Sequence, residues 1–576
     1  MKYQSFNTSV YCPVGNLIDI TDFDDFDQKF NHIYKNVKVG KVYLETYRGG
    51  TFISKSQMEK VISYFQSKGI EVSGGITTDD VYNGDGGFSP FCYSSKRTRD
   101  ILTKVVTLTA ELFDEFILDD FYFTNCRCEE CLKQKGDCSF TQFRLEQMKE
   151  ISENVIVGTA KQVNPKIHPI IKYPNWYEHY QDAGYNLADE PQIFDYIYTG
   201  TETRNPTYTA QHLPKYLSYF IMRYLENVAP DRNLGGWFDP YECTYNLTSY
   251  MEQGYLTLFA KAKEAMLFSL GSLFEDKAFL SFAPAIGQAF TDVDAYLNQL
   301  GRPVGTACYL PYHSHGEDYL HNYLGMCGIP LEPYPEYKED AATIFLTESA
   351  SMDPDILYKM KRSLHNGADV IVTSGFVQKL GTAFHDFMHV NYTTRKALIN
   401  QYAYSKDGGV TYGSCKEAAK PILVPQLEFY TNDVWQLISG FGEDNSFPLL
   451  LKTKYDKGRI FVLAIPDDFG NLYHYPRAIL TTIRNLFMKN FNVTIDSISK
   501  VALFTYDNDT LILRNFNPFI ENIKVIVKTV NATLYDIERK RVITGETTNK
   551  QTVFSLTLIP GINLVLKICQ DGERDS

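Results

Sequence analysis

The chain has 576 residues, with 56 Lys+Arg against 69 Asp+Glu and a formal net charge of −13. Hydrophobic residues make up 44% and charged residues 22%, a globular rather than a disordered balance. The acidic balance excludes a nucleic-acid binder built on a basic stripe, no apolar run reaches the ~18 residues of a membrane span, and the length predicts several domains.

The first 300 residues alternate short β-branched or aromatic runs with longer amphipathic stretches, the pattern of βα units on a parallel sheet. The predicted strands are SVYCPV (9–14), KVYLETY (41–47), IEVSGGI (70–76), FILDDFYF (116–123), IHPIIKYP (167–174), FDYIYTG (194–200), LGGWFD (234–239) and AFLSFAP (278–284). Helices are predicted between them. FDDFDQKFNHIYKNV precedes the second strand, SKSQMEKVISYFQSKG the third, and YLTLFAKAKEAMLFSLGSLF the eighth. The expected architecture is an α/β (β/α)8 TIM barrel over 1–300. A smaller open α/β domain is expected over 301–492, containing ATIFLTE, LHNGADVIVTSG and GRIFVLAIPDD. The alternating runs VALFTYDNDTLILRNF, NIKVIVKTV and FSLTLIPGINLVLKI predict a C-terminal antiparallel β-sandwich over 493–576.

The barrel strands turn polar at their C-terminal ends: Glu45, Tyr47 and Arg48; Thr77 to Asp80; Asp119 and Asp120; Lys172; Glu202 and Arg204; Asp239 and Glu242. A barrel builds its active site at that mouth, where the βα loops converge. The start, MKYQSFNTSVYCPV, has no basic n-region followed by an apolar h-region, which predicts a cytoplasmic protein; a trimmed signal peptide would instead place it in the periplasm or outside the cell.

Directly after the fourth strand, Cys126, Cys128 and Cys131 form C-x-C-x-x-C. Three thiols this close do not pair as disulfides, because one is left over and the one-residue spacing is strained. Zinc takes four ligands, and closed thiolate sites are structural. Cys92 is the first candidate for the fourth ligand and Cys138 the second. A catalytic zinc hydrolase is disfavoured, since such sites keep an open position and include His or carboxylate ligands, and no His adjoins the cluster.

Barrel, flavodoxin-like domain and C-terminal β domain, in that order, resemble the trimeric β-galactosidases of glycoside hydrolase family 42. That family carries a cysteine in a Cys-Pro-Ser-Ser-Pro-like stretch after the third strand, and Phe91-Cys92-Tyr93-Ser94-Ser95-Lys96 is similar. It also carries C-x-C-x-x-C after the fourth strand, as at Cys126, Cys128 and Cys131. The resemblance implies a structural Zn2+ on Cys92, Cys126, Cys128 and Cys131, no catalytic cofactor, and a homotrimer assembled through a domain like LHNGADVIVTSGFVQKLG. The departures are equally specific. Where the family's fourth strand ends in Asn-Glu, this chain has Leu118-Asp119-Asp120-Phe121, and its seventh strand offers Gly235-Gly236-Trp237-Phe238-Asp239-Pro240-Tyr241-Glu242. The implied protein is a distant relative, in a separate glycoside hydrolase family on the same scaffold.

Glycosidic cleavage needs two carboxyl groups flanking the bond. If the fourth strand stays extended, Asp119 and Asp120 face opposite sides, and Asp120 is the favoured catalytic acid. Glu242 is the favoured nucleophile or base, with Asp239 close behind. In a competing α-glycosidase assignment Asp120 attacks and Glu202 donates the proton. Glu45, Tyr47, Arg48, Asp119, Lys172, Trp176, Arg204 and Trp237 are candidate sugar contacts from the same rim. The expected partner is an oligosaccharide or glycoside, a galactoside among them, with no nucleic acid and no membrane. A non-catalytic carbohydrate-binding protein is the rival reading.

Overall fold

The computed structural model describes residues 2–80, 89–274, 280–405, 416–443 and 445–570. The chain forms two compact units, Met1–Asn298 and Gln299–Ser576. In the first, strands β1 (Asn7–Cys12), β2 (Lys41–Arg48), β3 (Glu71–Ile76), β4 (Glu115–Leu118), β5 (His168–Tyr173), β6 (Tyr196–Gly200), β7 (Asn233–Phe238) and β8 (Glu264–Phe268) pair in sequence order, all parallel. Pairing of β1 with both β8 and β2 closes the barrel.

Helices cover the outside because their apolar residues recur at helical spacing. Phe26, Phe30 and Ile33 form the buried stripe of Phe23–Asn36, and Asp22 caps that helix by accepting from the amides of Asp24 and Asp25. Met58, Val61 and Phe65 do the same for Lys55–Ser67, with Ser54 as cap. Among the described residues no helix is long and apolar enough to cross a membrane.

The barrel interior is aromatic: Tyr11, Tyr43, Ile117, Ile170, Tyr198, Trp237 and Met266 are packed together and buried. Such rings fit because β3 and β7 supply glycines. A Cβ on Gly75 would stand 2.8 Å from the Tyr11 hydroxyl, and one on Gly235 only 2.2 Å from the Glu264 carbonyl. The buried phenols find carboxylate partners, Tyr11 donating to Glu45 at 2.7 Å and Tyr198 to Glu264 at 3.0 Å.

One strand is not where the sequence suggests. Phe282–Asp294, overlapping the run expected as strand eight (278–284), is a helix, and residues 278 and 279 lie outside the described residues. The eighth strand is Glu264–Phe268, inside the stretch expected to be one helix. That helix stops at Phe259, and Lys261 turns the chain with φ of +67°. A short apolar run buried on both faces carries no period, so strand and helix look alike in it.

In the second unit five parallel strands order as Leu331–Tyr334, Thr306–Tyr309, Thr343–Leu346, Asp369–Thr373 and Gly458–Leu463. The sheet continues antiparallel through Asn445–Tyr455, Trp435–Gly442, Val390–Tyr404 and Lys416–Phe429. These long antiparallel strands are an addition to the open α/β layout expected from the sequence. Two further antiparallel sheets follow, one of them completed by Pro303–Val304 from the start of the unit.

Candidate active site

At the C-terminal mouth of the barrel a cavity of about 580 Å³ opens between the βα loops. Its acidic residues are Asp119 and Asp120 after β4, Asp182 after β5, Glu202 after β6, and Asp239 after β7. Its aromatic walls include Phe121, Phe123, Trp176, Trp237, Tyr241 and Phe268.

Lys172, at the end of β5, organises the floor. Its ammonium donates to Asp120 Oδ2 and to Glu202 Oε1, both at 2.9 Å, and stands 3.9 Å from Asp119 Oδ1. It also sits 4.0 Å above the Trp237 ring. Burial alone would discharge the amine, but Asp120, Glu202 and Asp119 outweigh it and hold the ammonium charged. Asp120 Oδ2 and Glu202 Oε1 cannot be further apart than twice their common 2.9 Å bond to Lys172.

Burial pushes the Asp120 carboxyl up to about 8; Lys172 opposes the rise and the Asp119 charge adds to it. Glu202 is also raised, by burial first and by Asp239, against the pull of Lys172. The Glu202 Oε2 atom is buried with no hydrogen-bond partner among the described residues. Asn175 ties the Glu202 backbone by donating to its carbonyl.

Asp119 behaves differently. Burial raises its carboxyl, but Lys172 and Arg48 outweigh that and hold it below the usual range. Arg48 Nη2 donates to it at 2.9 Å, Thr77 Oγ1 at 3.0 Å and the Asp120 amide at 2.7 Å. β4 ends at Leu118, so the two aspartates lie in the following turn and both approach the same ammonium. The strict alternation expected of an extended strand does not apply there.

Asp239 is held by Arg204, which donates from Nε to Oδ1 at 3.0 Å and from Nη2 to Oδ2 at 2.8 Å. The Tyr241 amide adds a bond at 3.0 Å. Arg204 reaches this position from a left-handed backbone, φ +53°, and Gln253 Oε1 accepts both its amide and that of Thr203 at 3.0 Å. Glu242 does not line the cavity; its side chain is 39% exposed and lies 4.0 Å from Arg204. Glu45 is fully buried behind the wall, accepting from Tyr11, the Val14 amide and Arg48. Tyr47 is buried too, and its hydroxyl donates to the Asp79 carbonyl at 3.0 Å. Of the eight sequence-derived contact candidates, Arg48, Asp119, Lys172, Trp176, Arg204 and Trp237 line the cavity, whereas Glu45 and Tyr47 do not.

Other lining residues escaped the sequence reading. Phe268 lies in the misplaced strand, and Asn175 and Gln211 are ordinary loop amides with no motif around them. Phe121 and Phe123 do have a signal, since they follow the Asp-Asp pair in the turn after β4 that faces the mouth.

The thiols of Cys92, Cys126, Cys128 and Cys131 lie within 4.8 Å of one another and could hold a metal ion. Cys92 is 3.7 Å from Cys128 and 3.6 Å from Cys131, and Cys128 to Cys131 is 3.6 Å. Four thiolates around a zinc at about 2.3 Å would be spaced by about 3.8 Å, so these residues fit that ion. Cys138 stands apart and donates its thiol to the Lys135 carbonyl at 2.8 Å.

Residues 1–289 match the family model described as "Probable glycosyl hydrolase, catalytic domain". Residues 301–468 match the second domain of "Uncharacterized protein SSO3021", and residues 492–560 match "Probable glycosyl hydrolase, C-terminal domain". Uncharacterized protein SSO3021 of Saccharolobus solfataricus is 25% identical over 538 residues, 84% of this chain and 86% of that protein. Among solved structures, alpha-L-fucosidase isoenzyme 2 from Paenibacillus thiaminolyticus aligns with a TM-score of 0.67 at 12% identity, covering 99% of this chain and all of the other (100%). Gan42B, a GH42 beta-galactosidase from G. stearothermophilus, aligns with a TM-score of 0.65 at 11% identity over 98% of both chains. At these identities the structural likeness establishes the fold.

Proposed function

The chain belongs to the probable glycosyl hydrolases, whose catalytic-domain model it matches over residues 1–289, and from that premise we propose that Asp120 and Glu202 are its catalytic carboxyl pair. One observation carries the reading: both line the barrel-mouth cavity, and both bond to the same buried ammonium at 2.9 Å. Their nearest bonded oxygens are therefore closer than the roughly 6.5 Å at which inverting enzymes begin to have room for a water, and the expected outcome is retention.

Asp120, pushed up to about 8, holds a proton at neutral pH and donates it to the leaving oxygen. Glu202 is the ionised partner that attacks the anomeric carbon. Asp239, with both oxygens taken by Arg204, orients that cation rather than attacking. Glu242, favoured on sequence grounds, lies too far out on the rim for either role. The reverse assignment, Asp120 as nucleophile, has one observation in its favour: the Asp120 side chain is 23% exposed against 7% for Glu202.

The test is a panel of 4-nitrophenyl glycosides, galactosides and fucosides first because the structural neighbours carry those names, with product stereochemistry followed by NMR. Turnover of none would leave the carbohydrate-binding reading standing. Glu202→Ala separates the two assignments. As nucleophile its loss abolishes turnover, and azide restores nitrophenol release with a glycosyl azide of inverted configuration; as acid/base its loss spares the release step, slows hydrolysis of the glycosyl-enzyme, and azide gives a glycosyl azide of retained configuration.

The four thiols serve as a structural zinc site, which pins the loop carrying Phe121, Phe123 and Asn125. Elemental analysis should find one zinc per chain. Catalysis resides in residues 1–300, with 301–492 as an assembly domain and 493–576 as a β-sandwich. The homotrimer implied by the family 42 resemblance is tested by sedimentation.

A further inference from the structure

We infer that Lys172 is the shared counter-ion of the carboxyl pair, a positioning residue that lets one negative charge pass between Glu202 and Asp120 during the reaction. The inference rests on the pairing of Asp120 with Glu202 proposed above, and takes Lys172 out of the sugar-contact role expected from its place on the rim.

The geometry is symmetric. The ammonium lies 2.9 Å from each carboxylate, and its side chain is 2% exposed. Trp237 closes another side at 4.0 Å. The neighbouring charges are otherwise committed. Arg48 faces Glu45 and Asp119, and Arg204 bonds Asp239, with Glu242 at its far side and only a longer-range pull on Glu202. Asp119 stands at 3.9 Å from Lys172 but takes its close bonds from Arg48 and Thr77. Among the described residues, Lys172 is thus the cation bonded to either member of the pair. One ammonium for two carboxyls, Glu202 buried and Asp120 partly so, leaves room for one negative charge, so the second carboxyl keeps a proton.

That single charge has to move as the chemistry proceeds. In the first half, Glu202 bonds to the anomeric carbon, the glycosidic C–O bond breaks, and the Asp120 proton goes to the leaving oxygen. The negative charge then resides on Asp120. In the second half, a water oxygen bonds to the anomeric carbon, its proton passes to Asp120, and the bond to Glu202 breaks with its electron pair returning to Glu202. A counter-ion close to one carboxylate alone would favour one half of this cycle at the expense of the other. A cation equidistant from both stabilises the two charge states alike without moving.

The test is carboxyl titration by 13C NMR on protein labelled at Asp Cγ and Glu Cδ, assigned with Asp120→Asn and Glu202→Gln. In the unaltered protein the pair should hold one proton between the two carboxyls through neutral pH. Both carboxyls fully ionised by pH 6 would overturn the inference, and this arm needs no altered lysine. In Lys172→Met both titrations should move up by at least one pH unit, and the limbs of the kcat/KM profile should move with them. Lys172→Arg should keep them within a few tenths. A structural role for the lysine would lower the Tm of Lys172→Met while leaving both titrations in place, which overturns the proposal. Should Lys172→Met fail to fold, Lys172→Gln gives the same readout. The two readings also fail separately. If titrations shift as stated but no glycoside is turned over, the counter-ion stands and the hydrolase roles fall. If Asp120→Asn abolishes turnover but Lys172→Met moves neither carboxyl, the pair stands and the counter-ion falls.

Discussion

Both mouths of the barrel hold acids beside a lysine, and the two clusters are built differently. At the N-terminal mouth Glu264 accepts from Ser9 at 2.8 Å and Tyr198 at 3.0 Å, and Glu115 accepts from Ser73 at 2.8 Å and pairs with Lys41. Burial raises Glu264, against the pull of Lys41 and Ser9. At the C-terminal mouth Lys172 is divided between two carboxyls, one Glu202 oxygen has no partner, and the group opens on an aromatic-walled cavity of about 580 Å³. A raised carboxyl with a lysine nearby is therefore not itself a site. Hydroxyl partners complete the lower cluster, whereas the upper one is left incomplete towards a space a sugar can enter.

The contrast can be broken by substitution at each end. Asp120→Asn should cost the most: about 10²- to 10⁴-fold in kcat on substrates whose leaving group needs a proton, with Tm nearly unchanged. Near-normal turnover would remove the upper mouth's claim. A pH profile sharpens the same point. Because Asp120 must be protonated to act and is pushed up to about 8, kcat/KM should fall as pH rises through about 8. It should also fall on the acid side as Glu202 takes up a proton.

Glu264→Leu should do the opposite of Asp120→Asn. Leaving the Ser9 and Tyr198 hydroxyls without their acceptor should cost about 1–3 kcal/mol of stability, read by urea unfolding, with KM unchanged. A loss of activity at constant stability would erase the distinction between the mouths. The smallest effect is expected at Glu242→Ala, on the exposed rim: turnover within about twofold and stability within about 0.5 kcal/mol. A large drop would restore Glu242 to the catalytic pair.

Much of this was legible in residue order. The short β-branched or aromatic runs at 41–47 and 194–200, and the helical stripe Phe26, Phe30, Ile33, announce βα units, and the polar strand ends point to the mouth where the cavity lies. The C-x-C-x-x-C spacing and Cys92 found each other in space as expected. The eighth strand was not legible, because a five-residue run with four residues buried shows no period that distinguishes strand from helix. Nor was the divergence of Asp120 from Asp119, which share a residue type and adjoin in the chain but differ in what faces them.

What the sequence determined by itself was which groups stand on the rim, since a strand's C-terminal residues are local in the chain and every such end of a closed barrel meets at one mouth. Which of those groups act together was decided only by the tertiary structure. Closing the barrel brought Lys172 from β5 between Asp120 and Glu202, gave Asp239 to Arg204, and left Glu242 outside. Those pairings depend on distances of a few ångströms between side chains far apart in the chain, and on burial that sets which carboxyl keeps its proton.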